Sequence, residues 1–174
     1  MMKRIVVVGT SCAGKTTFAK VLAQKLGARP IDIDDYHWSP GWKENPPAEY
    51  LPRLQKAMDC PAWVVSGNYM DAREMVWGSA DTVVWLDYSF ATVLLRAIRR
   101  TIKRNFTGEI VCNGNRETFR HSFLSRDSII LWVLSTYHRR IREFEALMIG
   151  PRYSHLEFIR LKNQGETDRF ITSV

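Results

Sequence analysis

The residues with the clearest chemical purpose stand near the start of the chain, in the segment GTSCAGKT at positions 9–16. This segment matches the pattern G-x-x-x-x-G-K-[ST] at every fixed position. In such a loop the glycines allow a tight turn that directs backbone N–H groups at phosphate oxygens, and the lysine reaches the outer phosphates. The threonine hydroxyl can ligate Mg²⁺, and the next threonine can bond the α-phosphate. The predicted nucleotide-binding residues are Gly9, Thr10, Ser11, Cys12, Ala13, Gly14, Lys15, Thr16 and Thr17.

The sequence on either side of this loop predicts the elements that hold it. Residues 4–8 form a run rich in β-branched side chains, which is typical of a buried parallel strand. After the loop, Phe18, Leu22 and Leu26 recur at helical spacing, and Gly27 is a suitable helix stop. The motif therefore lies between a strand and a helix, which is the context that a phosphate-binding loop requires.

Composition sets the class of protein and its location. A chain of 174 residues, 45% hydrophobic and 25% charged, predicts one globular domain over residues 1–174. No apolar run is long enough to span a bilayer, no secretory signal is visible, and three scattered cysteines suit free thiols, so a cytoplasmic location is expected. The net charge of +7 favours anionic partners.

Carboxylates follow the second predicted strand, residues 28–33. Asp34 and Asp35 come just past its carboxyl end, where open parallel sheets bind ligands. Either could receive a substrate hydroxyl, act as a general base or order Mg²⁺ through water, or could instead cap a turn. Asp34 is the favoured candidate, whereas Asp32 alternates with Ile31 and Ile33 and is expected to face another way.

Two further segments could bind an acceptor. Trp38 and Trp42 lie in a loop rich in proline and glycine, where they either line a pocket or pack the loop down. The third predicted strand, residues 62–65, is followed by Ser66 and then by Arg73, again near the carboxyl edge of the sheet.

A basic helix is predicted over residues 90–104. Its cations share one helical face, and apolar residues occupy the other. Five cations without an intervening acid repel one another, which favours an anionic partner such as the charge that develops during phosphoryl transfer. The five are Arg96, Arg99, Arg100, Lys103 and Arg104.

The following segment, residues 105–127, lacks clean periodicity and carries Arg116, Arg120 and Arg126. We interpret it as a lid that would exclude water during group transfer, the alternative being an ordinary surface excursion. A long helix at 128–148 and a short final helix at 164–172 flank a fifth strand at 156–161. The alternation of strands and helices throughout predicts an α/β fold with a parallel sheet.

These motifs together resemble the adenylate-kinase-like branch of the P-loop kinases. More closely, they are similar to small bacterial proteins described as adenylate-kinase-related or DNA-topology-modulation proteins, whose pattern is matched at residues 9–16, 34–42, 63–69 and 85–100. The resemblance implies the P-loop NTPase fold: a five-stranded parallel sheet in the order 2-3-1-4-5, flanked by helices, with a lid segment.

The resemblance also implies roles for single residues. Arg96 would lie against the adenine of ATP, Arg100 would contact phosphate, and Arg73 is the nearest match to an arginine that grips the acceptor phosphate. Arg116, Arg120 and Arg126 would be lid arginines. One position departs from the family pattern, because Ser66 replaces an aspartate that holds Mg²⁺ through water. Either Asp34 or Asp35 supplies that charge, or the protein is a weak kinase.

The function expected from the sequence is transfer of the γ-phosphoryl group of MgATP to a nucleotide or a small hydroxylated acceptor. Lys15, Asp34, Arg100, Arg116 and Arg120 would be catalytic; Asp34, Asp35, Trp38, Trp42 and Arg73 would hold the acceptor. Thr16 would bind Mg²⁺, with the Ser66 position or Asp34 acting through water. The alternative is a nucleotide-responsive, nucleic-acid-binding protein with weak or no kinase activity. The basic face of residues 90–104, a second basic cluster at residues 138–142 and Ser66 would suit this alternative. The sequence leaves the acceptor, the choice of ATP over GTP and the oligomeric state open.

Overall fold

The computed structural model describes residues 2–116 and 128–174 and has an α/β architecture. Its central feature is a five-stranded parallel sheet with helices on both faces. The strands, numbered in chain order, are β1 (Arg4–Gly9), β2 (Arg29–Asp32), β3 (Trp63–Ser66), β4 (Thr82–Leu86) and β5 (Glu157–Leu161). Their order across the sheet is β2-β3-β1-β4-β5, which confirms the predicted 2-3-1-4-5 arrangement.

The central strands owe their position to apolar residues that are buried on both faces. In β1, Ile5, Val6 and Val7 are fully buried, as are Val64 and Val65 of β3. A strand that buries both faces needs a continuous rather than an alternating apolar run, and residues 5–8 supply one. The polar residues of the sheet edge are therefore found where the strands end.

Helices connect the strands and cover both faces. The long helices α5 and α6 pack against each other through Val93, Ala97, Val133 and Tyr137. The helices are α1 (Lys15–Leu26), α2 (Asp34–His37), α3 (Pro47–Met58), α4 (Met70–Gly78), α5 (Phe90–Thr107), α6 (Ile129–Ile149) and α7 (Gln164–Ser173). In the part of the chain that the structure describes, none of them combines the length and apolarity needed to cross a membrane.

Two short antiparallel hairpins lie outside the sheet and were not predicted. The first, which we call the tryptophan hairpin, pairs Trp38–Ser39 with Lys43–Glu44; the second, the cysteine hairpin, pairs Ile110–Val111 with Asn115–Arg116. The buried amide of Asn115 joins them, since its Nδ2 donates to the Ser39 carbonyl at 3.0 Å and its Oδ1 accepts from the Trp42 N–H at 2.9 Å. The cysteine hairpin therefore packs on the loop that carries the two tryptophans.

The described part of the predicted lid has regular structure. Residues 105–107 continue α5 beyond the predicted end at residue 104, and residues 110–116 form the cysteine hairpin. Residues 117–127, with Arg120 and Arg126, lie outside the described residues, as does the Arg116 side chain. The lid itself stays a prediction.

Candidate active site

The phosphate-binding loop has the backbone geometry that its glycines permit. Gly9 has a φ of 151°, and a Cβ at this position would lie 2.7 Å from the Leu86 carbonyl oxygen. Gly14 precedes α1 in the left-handed region, with a φ of 94°. The loop therefore passes so close to β4 that a residue with a Cβ at position 9 would clash with it. The N-terminus of α1 follows directly, and its free N–H groups face the interior of the loop.

Lys15 lies across the mouth of this loop. Its ammonium group donates hydrogen bonds to the carbonyl oxygens of Gly9 and Thr10, at 3.1 and 3.0 Å. Burial lowers the pKa of Lys15, and the positive charge of Arg100 acts in the same direction, whereas Asp34 opposes both. The two cations and the Asp34 carboxylate are thus close enough to influence one another's charge.

Thr16 is bonded to a carboxylate to which the sequence analysis gave no role. Its hydroxyl donates to Oδ2 of Asp32 at 2.7 Å, and Oδ1 of Asp32 accepts the Asp34 N–H at 3.3 Å. Burial, reinforced by the negative charge of Asp34, raises the pKa of Asp32 to about 6. The carboxylate nearest to the predicted Mg²⁺ ligand is therefore Asp32, the last residue of β2.

Ser66 occupies the neighbouring strand end. It is buried and pairs with Asp32 in the β2–β3 register, and a shallow pocket between the two strand ends and α1 includes Thr16, Asp32, Asp35 and Ser66. The negative charge that Ser66 cannot supply is present one strand away. The signal that could have identified Asp32 is its place at the carboxyl end of the strand next to Ser66.

The donor set at this edge fits a magnesium–nucleotide complex. Mg²⁺ in phosphotransferases is bound by one or two protein oxygens, with phosphates and water completing an octahedron. Thr16 and Asp32 would provide those oxygens, directly or through water. Among the described residues there is no cluster of three or more metal-ligating side chains, so an ion here would depend on the phosphates for the rest of its coordination.

Asp34 is held by a chain of hydrogen bonds. Its Oδ1 accepts from the Tyr69 hydroxyl at 2.7 Å, and that hydroxyl accepts from Nε1 of Trp38 at 3.1 Å. Burial and the charge of Asp34 both raise the pKa of Tyr69, so the phenol stays protonated and remains a donor. The Asp34 carboxylate is thereby fixed in orientation near Lys15, with Trp38 serving both to line the site and to support Tyr69.

The cysteine hairpin forms one wall beside these carboxylates. Asn113 donates to the carbonyls of Asp35 and Trp38, at 2.7 and 2.5 Å. Burial raises the pKa of the Cys112 thiol to about 12, and the charges of Asp34, Asp32 and Asp35 contribute to that rise. Trp42 packs edge-on against Trp38, with ring centroids 5.7 Å apart. The structure thus places the cysteine hairpin against the backbone carbonyls of Asp35 and Trp38, and the two predicted tryptophans against each other.

Arg96 lies between the phosphate-binding loop and α7. Its guanidinium donates to the Ala13 carbonyl at 2.9 Å and to Oε1 of Gln164 at 2.7 Å, and it stacks over the Tyr88 ring at 4.4 Å. This position adjoins the phosphate-binding loop, and the contact of Arg96 with adenine stays a prediction. Gln164 and Tyr88 were not singled out from the sequence, because neither lies in a recognisable motif.

Arg73, in contrast, is engaged in an ion pair with a residue of α6. Its guanidinium pairs with Glu143 of α6, which also pairs with Arg140 at 3.3 Å, and it lies over Trp77 at 5.6 Å. Only 13% of the Arg73 side chain is exposed. The sequence predicted that Arg73 binds an acceptor phosphate. In the structure its guanidinium is already paired with the Glu143 carboxylate.

Comparisons with known proteins identify the fold. The sequence matches no protein-family model, and no curated protein matches it either. The structure is similar to shikimate kinase from Bacteroides thetaiotaomicron, with 16% identity, a TM-score of 0.54 and coverage of 99% of this chain and 96% of that one. Shikimate kinase from Acinetobacter baumannii, in complex with shikimate, gives 17% identity, a TM-score of 0.53 and coverage of 99% and 90%.

A third solved structure, a sugar kinase from Janibacter sp. HTCC2649, gives 18% identity, a TM-score of 0.55 and coverage of 99% and 94%. At such low identity these similarities speak for the fold alone. The chain has the P-loop NTPase fold that these kinases share.

Proposed function

We propose that this protein is a phosphotransferase that moves the γ-phosphoryl group of MgATP to a small hydroxylated acceptor. The observation that carries the proposal is the position of Asp34, whose carboxylate is fixed by Tyr69 and interacts with Lys15 of the phosphate-binding loop. Phosphoryl transfer requires a group next to the bound triphosphate that orients the acceptor hydroxyl and takes its proton. The Asp34 carboxylate would be in position to do both.

The nucleotide would be bound by residues 9–17. The backbone N–H groups of the loop and the start of α1 would hold the phosphates, and Thr16 with Asp32 would hold Mg²⁺. MgATP supplies the phosphoryl group and the metal charge that offsets the negative charge on its oxygens. Arg96 would lie near the adenine, since it borders the loop at Ala13.

The acceptor would be bound between Asp34, the tryptophan hairpin and the cysteine hairpin. Asp34 would accept the proton of the attacking hydroxyl, with Tyr69 keeping the carboxylate in place. Lys15 and Arg100 would stabilise the charge on the transferred group, and the arginines at 116 and 120 would join them if the lid closes as the sequence predicts. Membership of the adenylate-kinase-like branch is part of this proposal and is supported by the motifs at 9–16 and 63–69.

The alternative of nucleic-acid binding has weaker support. Two of the five cations on the basic face of α5, Arg96 and Arg100, lie at the phosphate-binding loop. Their presence is therefore explained by nucleotide binding and does not require a nucleic-acid partner. Arg99 and Lys103 are exposed on α5 and would remain for such a partner. Binding of this kind would weaken steeply as salt rises.

The test is ATP turnover with and without a panel of hydroxylated acceptors, in wild type, Lys15→Ala and Lys25→Ala. We expect acceptor-dependent turnover that Lys15→Ala reduces by at least about a hundredfold, because it removes a cation from the transferred phosphoryl group. Lys25 is exposed in the last turn of the same helix, so Lys25→Ala should retain wild-type rates. Nucleotide binding without transfer to any acceptor would contradict the proposal.

A further inference from the structure

The residues around Asp34 indicate which chemical class of acceptor the site would bind. We propose that the acceptor is an uncharged hydroxylated compound, a sugar, polyol or nucleoside, and that the site discriminates against phosphorylated and carboxylated acceptors. This inference rests on the proposed phosphotransferase function and deepens it by naming the substrate class.

The first argument is the charge already present at the site. Asp32, Asp34 and Asp35 fall within four residues, and the Asp34 backbone N–H is bonded to the Asp32 carboxylate. A negative acceptor group about 6 Å from one such carboxylate, at an effective dielectric constant near 20, would be disfavoured on the order of a hundredfold. Lys15 and Arg100 offset part of this repulsion, but they also have the triphosphate to neutralise.

The second argument is that the side chains of Tyr69, Trp38 and Cys112 beside Asp34 are neutral. The Tyr69 hydroxyl and the Trp38 indole supply the hydrogen bonds that orient Asp34. The Cys112 thiol stays protonated because burial and the neighbouring carboxylates disfavour a thiolate. Aromatic rings with a few polar atoms suit the C–H face of a sugar or the face of a nucleobase, and they offer no charge to pair with an anion.

The third argument concerns the cation that a phosphorylated acceptor would need. Arg73 lies on α4, the helix that begins directly after Tyr69, and its guanidinium is paired with Glu143. Freeing it for an acceptor phosphate would leave Glu143 with Arg140 alone and would break a largely buried ion pair. The structure thus uses Arg73 to join α4 to α6.

A neutral hydrogen-bonding atom is available instead. Asn68 donates its amide to the Gly9 carbonyl, while its Oδ1 is buried and has no hydrogen-bond partner in the part of the chain that is described. Asn68 also lines the small cleft that Tyr69 and Arg73 border. A hydroxyl group can donate to such an oxygen, whereas a phosphate or carboxylate would meet it oxygen to oxygen.

The experiment compares matched acceptor pairs that differ only in charge. One pair is a hexose with its hexuronic acid, and the other is a nucleoside with its 5′-monophosphate, each tested at saturating MgATP. We expect kcat/KM for the uncharged member of the accepted pair to exceed that of its anionic partner by at least about tenfold. The two pairs also distinguish a sugar from a nucleoside as the source of the hydroxyl.

A variant tests the role assigned to Arg73. Glu143→Gln removes the carboxylate that holds Arg73, so we expect the preference for the uncharged member to shrink by about threefold or more. Glu145→Gln is the matched control, because Glu145 lies on the same helix and pairs with Arg160 instead, at 3.0 Å. Thermal unfolding of both variants establishes that they are folded.

Three results would overturn the inference or a part of it, and the first two leave the proposed phosphotransferase function standing. Equal or better use of the anionic members in wild type would refute the substrate class while leaving the phosphotransferase intact. An unchanged preference in Glu143→Gln would refute the part played by Arg73. Transfer to none of the four compounds, with MgATP bound, would count against the proposed function and the substrate class together.

Discussion

Replacing Asp32 with asparagine should have opposite effects on stability and on nucleotide binding. In the folded protein, burial and the charge of Asp34 raise the pKa of Asp32 to about 6 from an ordinary value of 3.8. A carboxyl group whose pKa is higher in the folded state reduces stability when it is ionised, and this cost disappears as the pH falls toward the unfolded-state pKa. The difference of about two pKa units corresponds to about 3 kcal/mol at pH 7 and roughly half of that at pH 5.

Asp32→Asn removes this cost and keeps an oxygen that can still accept from the Thr16 hydroxyl. We therefore expect the free energy of unfolding at pH 7 to rise by up to about 3 kcal/mol, which for a chain of this size is a Tm increase on the order of 5–10 °C. The gain should be visibly smaller at pH 5. Thermal unfolding followed by circular dichroism measures both values, and Asp59→Asn, an exposed position at the end of α3, is the control.

The same variant should bind MgATP worse. A neutral amide cannot offset the charge of the metal ion near Thr16, and loss of such a supporting carboxylate typically weakens binding by about 10–100-fold. Calorimetric titration with ATP, with and without Mg²⁺, separates the metal-dependent part. A stability gain that is equal at pH 5 and pH 7 would refute the charge argument, and an unchanged Mg²⁺ dependence would remove Asp32 from the ion site.

Two further substitutions test the geometry around Asp34. Tyr69→Phe removes the donor at 2.7 Å from the Asp34 carboxylate. In steady-state kinetics, kcat should therefore fall by about 10–100-fold while the KM for ATP stays unchanged. An unaltered kcat would mean that Tyr69 does not position this carboxylate. Gly67→Ala places a Cβ 2.9 Å from Ile33 at a φ of 147° and should lower the free energy of unfolding by about 1–3 kcal/mol in urea denaturation, whereas Gly78→Ala, which meets nothing within 4 Å, should not.

Local patterns predicted the strand, loop and helix around Lys15 because each depends on residues that are close in sequence. The apolar run of β1, the fixed positions of the loop and the glycine after α1 are sufficient to define that unit. The sheet order, however, came from a resemblance, since periodicity alone does not say which strands are neighbours.

The contacts that complete the candidate site join residues that are far apart in the chain. Local sequence patterns could not predict them for that reason. Asn115 lies 76 residues from Ser39, and Gln164 lies 68 residues from Arg96. Both are single polar side chains in segments of unremarkable composition. Their roles follow from packing of the hairpins and of α7, which only the folded structure provides.

Asp32 and Ser66 show why a strand-end motif has to be considered together with the neighbouring strand. Read along the chain, Ser66 is a missing carboxylate at the end of the third strand of the sheet. Read across the sheet, Ser66 pairs with Asp32, and Asp32 bonds the hydroxyl of Thr16. What a metal site requires is a negative charge near that hydroxyl, and neighbouring strand ends, about 4.8 Å apart, can supply it equally well. A substitution in a strand-end motif therefore bears on activity only after the residues at the adjacent strand ends have been considered.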